Sequence, residues 1–133
     1  MIDHMGLEVA DYSRSRSFYT QVLAPLGYTV VMEVTREMTG SYEGCGFSPP
    51  GRPHFWVGSG SGRSSQGTHV AFAAQTRAQV DAFHAAAMAA GAQDNGAPGL
   101  RPHYHPNYYG AFAIDPDGNN IEAVCHLPME VTA

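Results

Sequence analysis

His4 and His69 each stand near the start of an apolar, strand-like run, and Glu122 stands near the end of a third, in Asp115-Pro-Asp-Gly-Asn-Asn-Ile-Glu122-Ala-Val. Two imidazoles and one carboxylate carried on strands can close three faces of a divalent metal and leave the rest open to a substrate. Glu122 lies in the otherwise apolar stretch Ile121-Glu-Ala-Val124, where an unpaired buried charge is costly and a cation offsets that cost. Taken singly, each histidine also reads as a structural hydrogen-bonder, and Glu122 as an exposed strand glutamate.

The elements that must position these side chains are written twice. Residues 2–9 alternate like a half-buried strand, and Asp11 offers an N-cap to a helix whose Phe18, Tyr19, Val22, Leu23 and Leu26 share one face, with Gly27 ending it. Residues 68–74 read as a strand again. Thr76 then caps a second helix with Val80, Phe83, Ala87 and Met88 inward, and Gly91 closes it. His4 and His69 are 65 positions apart, and so are Phe18 and Phe83. Further strands are expected at 28–35, 41–47 and 54–58, then at about 92–97, 108–114 and 119–126.

Each half is therefore β-α-β-β-β. The expectation is one domain over residues 1–133, with module one about 1–58, a linker 59–67 and module two about 68–126. Gly58-Ser-Gly-Ser-Gly-Arg-Ser-Ser-Gln-Gly67 is a flexible linker by composition. It resembles a phosphate loop only superficially, since no lysine follows and no helix opens behind it. Asp115-Pro-Asp-Gly118 carries the residues of a tight turn and puts Glu122 on the outgoing strand, able to point toward His4 and His69 if both halves share one concave face.

Bulk properties narrow the function. A formal charge of −5 and a pI near 5.7 give no basic footprint for nucleic acid or an anionic membrane. All seven cations are arginines, so Schiff-base chemistry, a lysine base and a P-loop are excluded. No window approaches the ~20 apolar residues of a membrane span, and Met1-Ile-Asp-His-Met-Gly does not read as a signal peptide, so a cytoplasmic location is expected. Cys45 and Cys125 read as two buried thiols.

The chain resembles the vicinal oxygen chelate superfamily, which includes glyoxalase I, bleomycin-binding resistance proteins, fosfomycin-resistance thiol transferases and extradiol dioxygenases. Four segments carry the resemblance: Asp3-His4-Met-Gly-Leu-Glu-Val, the helix with Ser17-Phe18-Tyr19 and Leu23, Thr68-His69-Val-Ala-Phe, and Asp115-Pro-Asp-Gly-Asn-Asn-Ile-Glu122. The resemblance implies an α+β fold of two β-α-β-β-β modules forming a curled, half-open mixed sheet around a metal cavity, and a homodimer. It also implies one divalent ion per site (Fe2+, Mn2+, Zn2+ or Ni2+), with His4, His69 and Glu122 as the metal ligands. Glyoxalase I adds a carboxylate from the last strand of module one. Here that strand is His54-Phe-Trp-Val-Gly58, with no Asp or Glu, so a fourth ligand is missing or is replaced weakly by His54.

The remaining candidates border that cavity. His105 and Tyr108, in the aromatic segment Arg101-Pro-His-Tyr-His-Pro-Asn-Tyr-Tyr109, are expected to be catalytic, with His105 a general base; His103 is the other histidine of this segment. Trp56, Arg101, Tyr109 and Phe112 are expected to bind substrate, Trp56 as a stacking surface in place of the missing ligand. Each has a plainer alternative: a packed surface loop, a core tryptophan, a surface ion pair at Arg101. His84 and His126 read as incidental, and Tyr12, Tyr19 and Tyr28 as packing residues.

The function expected is a metal-dependent lyase or isomerase of the glyoxalase type, acting on a small substrate that chelates the ion through adjacent oxygens. Two alternatives stand beside it: Fe(II) ring-cleaving dioxygenation and non-catalytic sequestration of an antibiotic or metabolite. Many dioxygenase and fosfomycin relatives have a tyrosine ten positions before the carboxylate ligand, where this chain has Phe112. Tyr108 lies about 13 Å further along an extended strand at ~3.3 Å per residue. The spacing therefore predicts that its hydroxyl does not reach the same place, and that catechol cleavage is weak.

Overall fold

The computed structural model describes residues 1–129, and the end of the domain expected at 133 lies outside the described residues. Module one runs β1 (Met5–Glu8), α1 (Tyr12–Leu23), β2 (Thr29–Val34), α2 (Arg36–Thr39), β3 (Glu43–Ser48) and β4 (Phe55–Ser59). Module two runs β5 (His69–Ala73), α3 (Arg77–Ala89), β6 (Gln93–Leu100), β7 (Tyr109–Ile114) and β8 (Asn120–Cys125). The strands form two four-stranded sheets, ordered β1-β4-β3-β2 and β5-β8-β7-β6. In each, the first strand runs parallel to the last and the other pairs are antiparallel. This is the expected α+β repeat.

Local chemistry sets the boundaries. The Asp11 carboxylate accepts from the Arg14 amide and the Thr76 hydroxyl from the Gln79 amide, so both long helices start where their caps stand. Gly27 and Gly91 adopt φ of 81° and 90°, the left-handed geometry that turns the chain out of each helical segment. The short helix α2, capped by Thr35, is an element that strand periodicity over 28–35 did not anticipate. No helix among the described residues is long and apolar enough to cross a membrane.

Strand alternation divides each sheet into two faces. Leu7 on β1 and Phe55 and Val57 on β4 are buried, as are Val70 and Phe72 on β5 and Ile121, Ala123 and Cys125 on β8. All belong to one apolar cluster that also takes in Phe18, Tyr19, Val22, Val80 and Phe83 from the helices. Phe55 meets Tyr19 and Phe72 edge-on, each at 5.1 Å between ring centroids, which ties the sheets together, while α1 packs against α3. Each large side chain so buried contributes about 1.5–3 kcal/mol, which makes this common core the dominant stabilising feature. Because both sheets turn their helix-bearing faces into it, their other faces, carrying Gly6 and Trp56 in one and His69 and Glu122 in the other, point away from the core.

Hydrogen bonds also tie the linker and the two modules together. Ser65, in the middle of the glycine-rich linker, donates its amide to the Glu8 carbonyl (2.7 Å) and accepts the Glu8 amide on its hydroxyl (3.0 Å). The linker is thus pinned to β1 at one residue that composition gave no reason to single out. At the Asp115–Gly118 turn, the buried Asp115 carboxylate accepts the amides of Asp117 and Asn119 (both 2.9 Å) and the Tyr19 hydroxyl (2.5 Å). Helix α1 of module one therefore holds the turn that launches β8.

Burial, and then the neighbouring Asp115 carboxylate, raise the Tyr19 phenol well above its ordinary value of 10. The folded chain holds this proton more tightly than the unfolded chain, so the contribution is complete below pH ~10 and is lost as pH rises beyond it. Tyr19→Phe is expected to cost about 1.5–3 kcal/mol at neutral pH and to make stability less steep in alkali than in the parent. Urea unfolding at pH 7 and across pH 9–11 measures both, and parallel pH profiles would remove Tyr19 from this role.

Candidate metal and substrate site

The register of the second sheet builds one half of the site. His69 opens β5 opposite Asn120, and Ala71, two residues on, lies opposite Glu122 of β8. The small Ala71 leaves His69 free to lean along the sheet, and its Nε2 comes to 2.8 Å from Glu122 Oε1. Glu122 is 1% exposed although it lies on the face away from the core, while the His69 side chain is 52% exposed. One of the two candidate ligands is sealed and the other opens to solvent.

The second carboxylate oxygen is taken by Tyr108, whose hydroxyl donates to Glu122 Oε2. Strand spacing displaced Tyr108 from the place a tyrosine at 112 would fill, and the structure nevertheless carries its hydroxyl to Glu122. Tyr108 precedes β7, and its ring folds back across Gly110; a Cβ at Gly110 would lie 3.2 Å from that ring and 3.3 Å from Glu122 Oε2. The missing side chain at 110 is what lets the tyrosine reach. Burial, and then the hydrogen bond to Glu122, push the Tyr108 phenol upward, so at neutral pH it is a donor.

Phe112 lies opposite Glu122 across the β7–β8 pair, with its ring 6.3 Å from His69 and the Arg101 guanidinium 5.5 Å above it. Arg101 also donates to the Ala97 carbonyl at 2.8 Å. Tyr109, expected at the cavity, sits on the opposite face of β7. Its hydroxyl donates to Asp81 of α3 at 2.6 Å and its ring lies under Arg77, because odd positions of this strand face the helix.

His105 is also placed differently from a free base. Its Nδ1 accepts the Asn107 amide at 3.1 Å, and its Nε2 lies 2.5 Å from Nδ1 of His126. With Nδ1 accepting, the neutral ring carries its proton on Nε2 and donates to His126. Both rings flank Tyr108 edge-on, at 5.4 Å, and Tyr104 covers it at 4.8 Å. His105 and His126 thus brace the tyrosine. His126 looked incidental because its partner lies 21 positions away. His103 lies against Tyr104, with ring centroids 4.2 Å apart.

His4 lies apart from this cluster, in the first sheet. Just ahead of β1, it is 58% exposed and bonded through Nδ1 to Asp3 at 2.8 Å. It borders an open cavity of ≈380 Å³ with Gly6, Val34, Tyr42 and Trp56. Among the described residues no three His, Cys, Asp or Glu side chains converge to hold a metal. His69 and Glu122 are brought together; His4 is not brought to them within one chain. The donors of this half-site nevertheless suit a divalent ion, since a sealed carboxylate beside a solvent-facing imidazole is a hard and borderline pair with open positions.

A repeat-to-repeat register relates the halves. Gly6 pairs with Trp56, and Trp56 with Gly46; Ala71 pairs with Glu122, and Glu122 with Phe112. Trp56 is therefore the counterpart of Glu122. Four residues before Gly46 and before Phe112 stand Tyr42 and Tyr108, each folded over a glycine, Gly44 or Gly110. Sequence reading passed over Tyr42, though its spacing from Gly44 repeats that of Tyr108 from Gly110.

Residues 1–123 match the family model described as the Glyoxalase/Bleomycin resistance protein/Dioxygenase superfamily. No curated protein matches the chain. Among solved structures, a glyoxalase/bleomycin resistance protein from Albidiferax ferrireducens is 31% identical, with a TM-score of 0.69 over 95% of this chain and 98% of that one. A glyoxalase I mutant from Zea mays gives 20% identity and a TM-score of 0.71 over 92% of this chain and 46% of that one. A mutant of the fosfomycin resistance protein FosX from Listeria monocytogenes, complexed with Mn(II) and 1S,2S-dihydroxypropylphosphonic acid, gives 18% identity and a TM-score of 0.63 over 93% and 88%. The last two likenesses are of fold alone.

Removing the hydroxyl that serves Glu122 leaves a sealed carboxylate with one partner fewer. Tyr108→Phe should cost about 1.5–3 kcal/mol, whereas Tyr109→Phe, which frees the more exposed Asp81, should cost about 0.5–1.5 kcal/mol. Urea unfolding of both variants tests the assignment, and the reverse order would show that Tyr108 does not hold Glu122.

Proposed function

Since the chain belongs to the Glyoxalase/Bleomycin resistance protein/Dioxygenase superfamily, we propose that it is a metal-dependent enzyme of lyase or isomerase type, acting on a small substrate with adjacent oxygens. The carrying observation is Glu122, sealed from solvent yet held between an imidazole and a phenol. His69 and Glu122 of one chain and His4 of a second copy would hold one divalent ion, Fe2+, Mn2+, Zn2+ or Ni2+. Outward-facing sheets in one chain support a site completed by a homodimer, because the core keeps the two faces from meeting within the chain.

When bound, the ion would act as a Lewis acid toward a substrate oxygen. The chain's own groups have separate tasks. Tyr108 keeps its proton on the phenol oxygen at neutral pH and fixes the orientation of Glu122 by donating to it. His105 and His126 hold the tyrosine ring, and Phe112, with Arg101 over its ring, stands beside His69 and Glu122. The Arg101 charge favours an anionic substituent there.

The position of Tyr108 also supports a second reading. The spacing argument against ring cleavage falls once its hydroxyl is on the carboxylate, so Fe(II)-dependent dioxygenation stands as the runner-up. Oxygen uptake by the Fe(II)-loaded protein with catechol, set beside turnover of 2-oxoaldehydes and thiol adducts, ranks the two.

Complementation tests the shared site. His4→Ala and Glu122→Ala should each lose bound metal as homodimers, while refolding them together in equal amounts should restore about a quarter of the parent's metal content, because half the dimers are mixed and each regains one site. Metal analysis after gel filtration reads this directly. Full occupancy in Glu122→Ala would overturn the ligand assignment, and no recovery on mixing would place the site within one chain.

A further inference from the structure

At the position where module two carries Glu122, module one carries Trp56, and the surrounding face is cleared for it. A Cβ at Gly46 would lie 2.6 Å from Pro53 and 3.0 Å from the indole, and one at Gly6 3.3 Å from the Trp56 Cβ. Tyr42 is seated the same way: a Cβ at Gly44 or Gly58 would come within 2.4 Å and 2.1 Å of its hydroxyl, closer than atoms can approach. Four glycines thus leave two aromatic side chains lying low against bare backbone, each half-buried with its outer side toward the open cavity. Neither ring stacks on another aromatic among the described residues, whereas Tyr108 is packed by Tyr104, His105 and His126. Among the described residues the Tyr42 hydroxyl makes no hydrogen bond, whereas that of Tyr108 is committed to Glu122.

We infer that Trp56 and Tyr42 form a stacking platform for the planar aromatic ring of a small ligand bearing an oxygen acceptor, with the Tyr42 hydroxyl donating to that oxygen. The lining, His4, Gly6, Val34, Tyr42 and Trp56, holds no carboxylate, guanidinium or ammonium group, so it selects an uncharged ring. Indole and phenol faces favour an aromatic ring over a saturated one of the same size through their quadrupoles. The inference deepens the proposed function by naming the substrate class, and rests on it only for where the substrate's chelating oxygens would go.

Trp56 is the sole tryptophan, so its emission reports on the platform. The full-length protein is titrated with acetophenone and with cyclohexyl methyl ketone, which shares the carbonyl but has a saturated ring. Calorimetry and Trp56 fluorescence are both followed, with the divalent ion added and after EDTA. Acetophenone should quench the emission and bind about five- to tenfold more tightly than the saturated ketone, with and without metal. Trp56→Leu should abolish the preference in calorimetry while retaining the parent's metal content and melting temperature. Trp56→Phe should keep part of it, and Tyr42→Phe should weaken both ketones and leave the ratio. Equal binding of the ketones, or an unchanged ratio in Trp56→Leu, would overturn the proposal. So would emission that acetophenone leaves unmoved at any protein concentration. Metal dependence failing while the ring preference survives sinks only the catalytic reading.

Discussion

Phe55 of the first sheet against Phe72 of the second, with Tyr19 beside them, is the contact on which the rest depends. It commits the helix-bearing faces of both sheets to one apolar core, closed by α1 packing on α3. Alternation along each strand then leaves no freedom about where the chemistry goes, since every residue out of phase with that core must project from the opposite face. His69 and Glu122 project from one side of the molecule and Trp56 from the other sheet's outer face. A duplicated module that shares its core in this way turns the outer faces of its two sheets away from each other.

The duplication has kept its framework and changed its chemistry. The tyrosine folded over a glycine survives in both halves, as Tyr42 over Gly44 and Tyr108 over Gly110. What it serves has diverged: Tyr108 donates to a carboxylate, while Tyr42 lies beside an indole at the equivalent register position. An indole where the other module has a carboxylate brings its own requirement. A bulky ring needs room on the neighbouring strand, and the counterpart of Phe112 is Gly46. One half holds a carboxyl group and the other holds aromatic surface.

A buried carboxylate is tolerated only when its oxygens are served, and at Glu122 this condition propagates outward. Tyr108 must be on one oxygen, Gly110 must be bare for it to arrive, and the His105–His126 pair must hold its ring. The Asp115 turn obeys the same rule at a distance, its carboxylate collecting two amides and the Tyr19 phenol so that β8 leaves at a fixed angle. Each buried carboxyl group thus acts as an organiser whose neighbours are fixed by what it must be given.

Periodicity made much of this legible. The 65-residue repeat, the caps at Asp11 and Thr76, the turn at Asp115–Gly118 and most strands follow from side-chain pattern and local backbone preference, which depend on near neighbours in the chain. His69 and Glu122 were readable as partners from their residue types and their places on strands of the repeat. Three things were decided only in three dimensions. The separation of His4 from them follows from which sheet faces share the core, and either choice satisfies the same alternation. Tyr108 reaching Glu122, and Tyr109 turning to Asp81 instead, depend on where β7 begins and on an empty space above Gly110. The pinning of the linker at Ser65 and the pairing of His105 with His126 join residues distant in sequence through hydrogen bonds that leave no periodic trace. The sequence by itself determined the elements and the chemical types they carry, because those are local; the tertiary structure decided which groups meet, because that is a matter of faces, register and free volume.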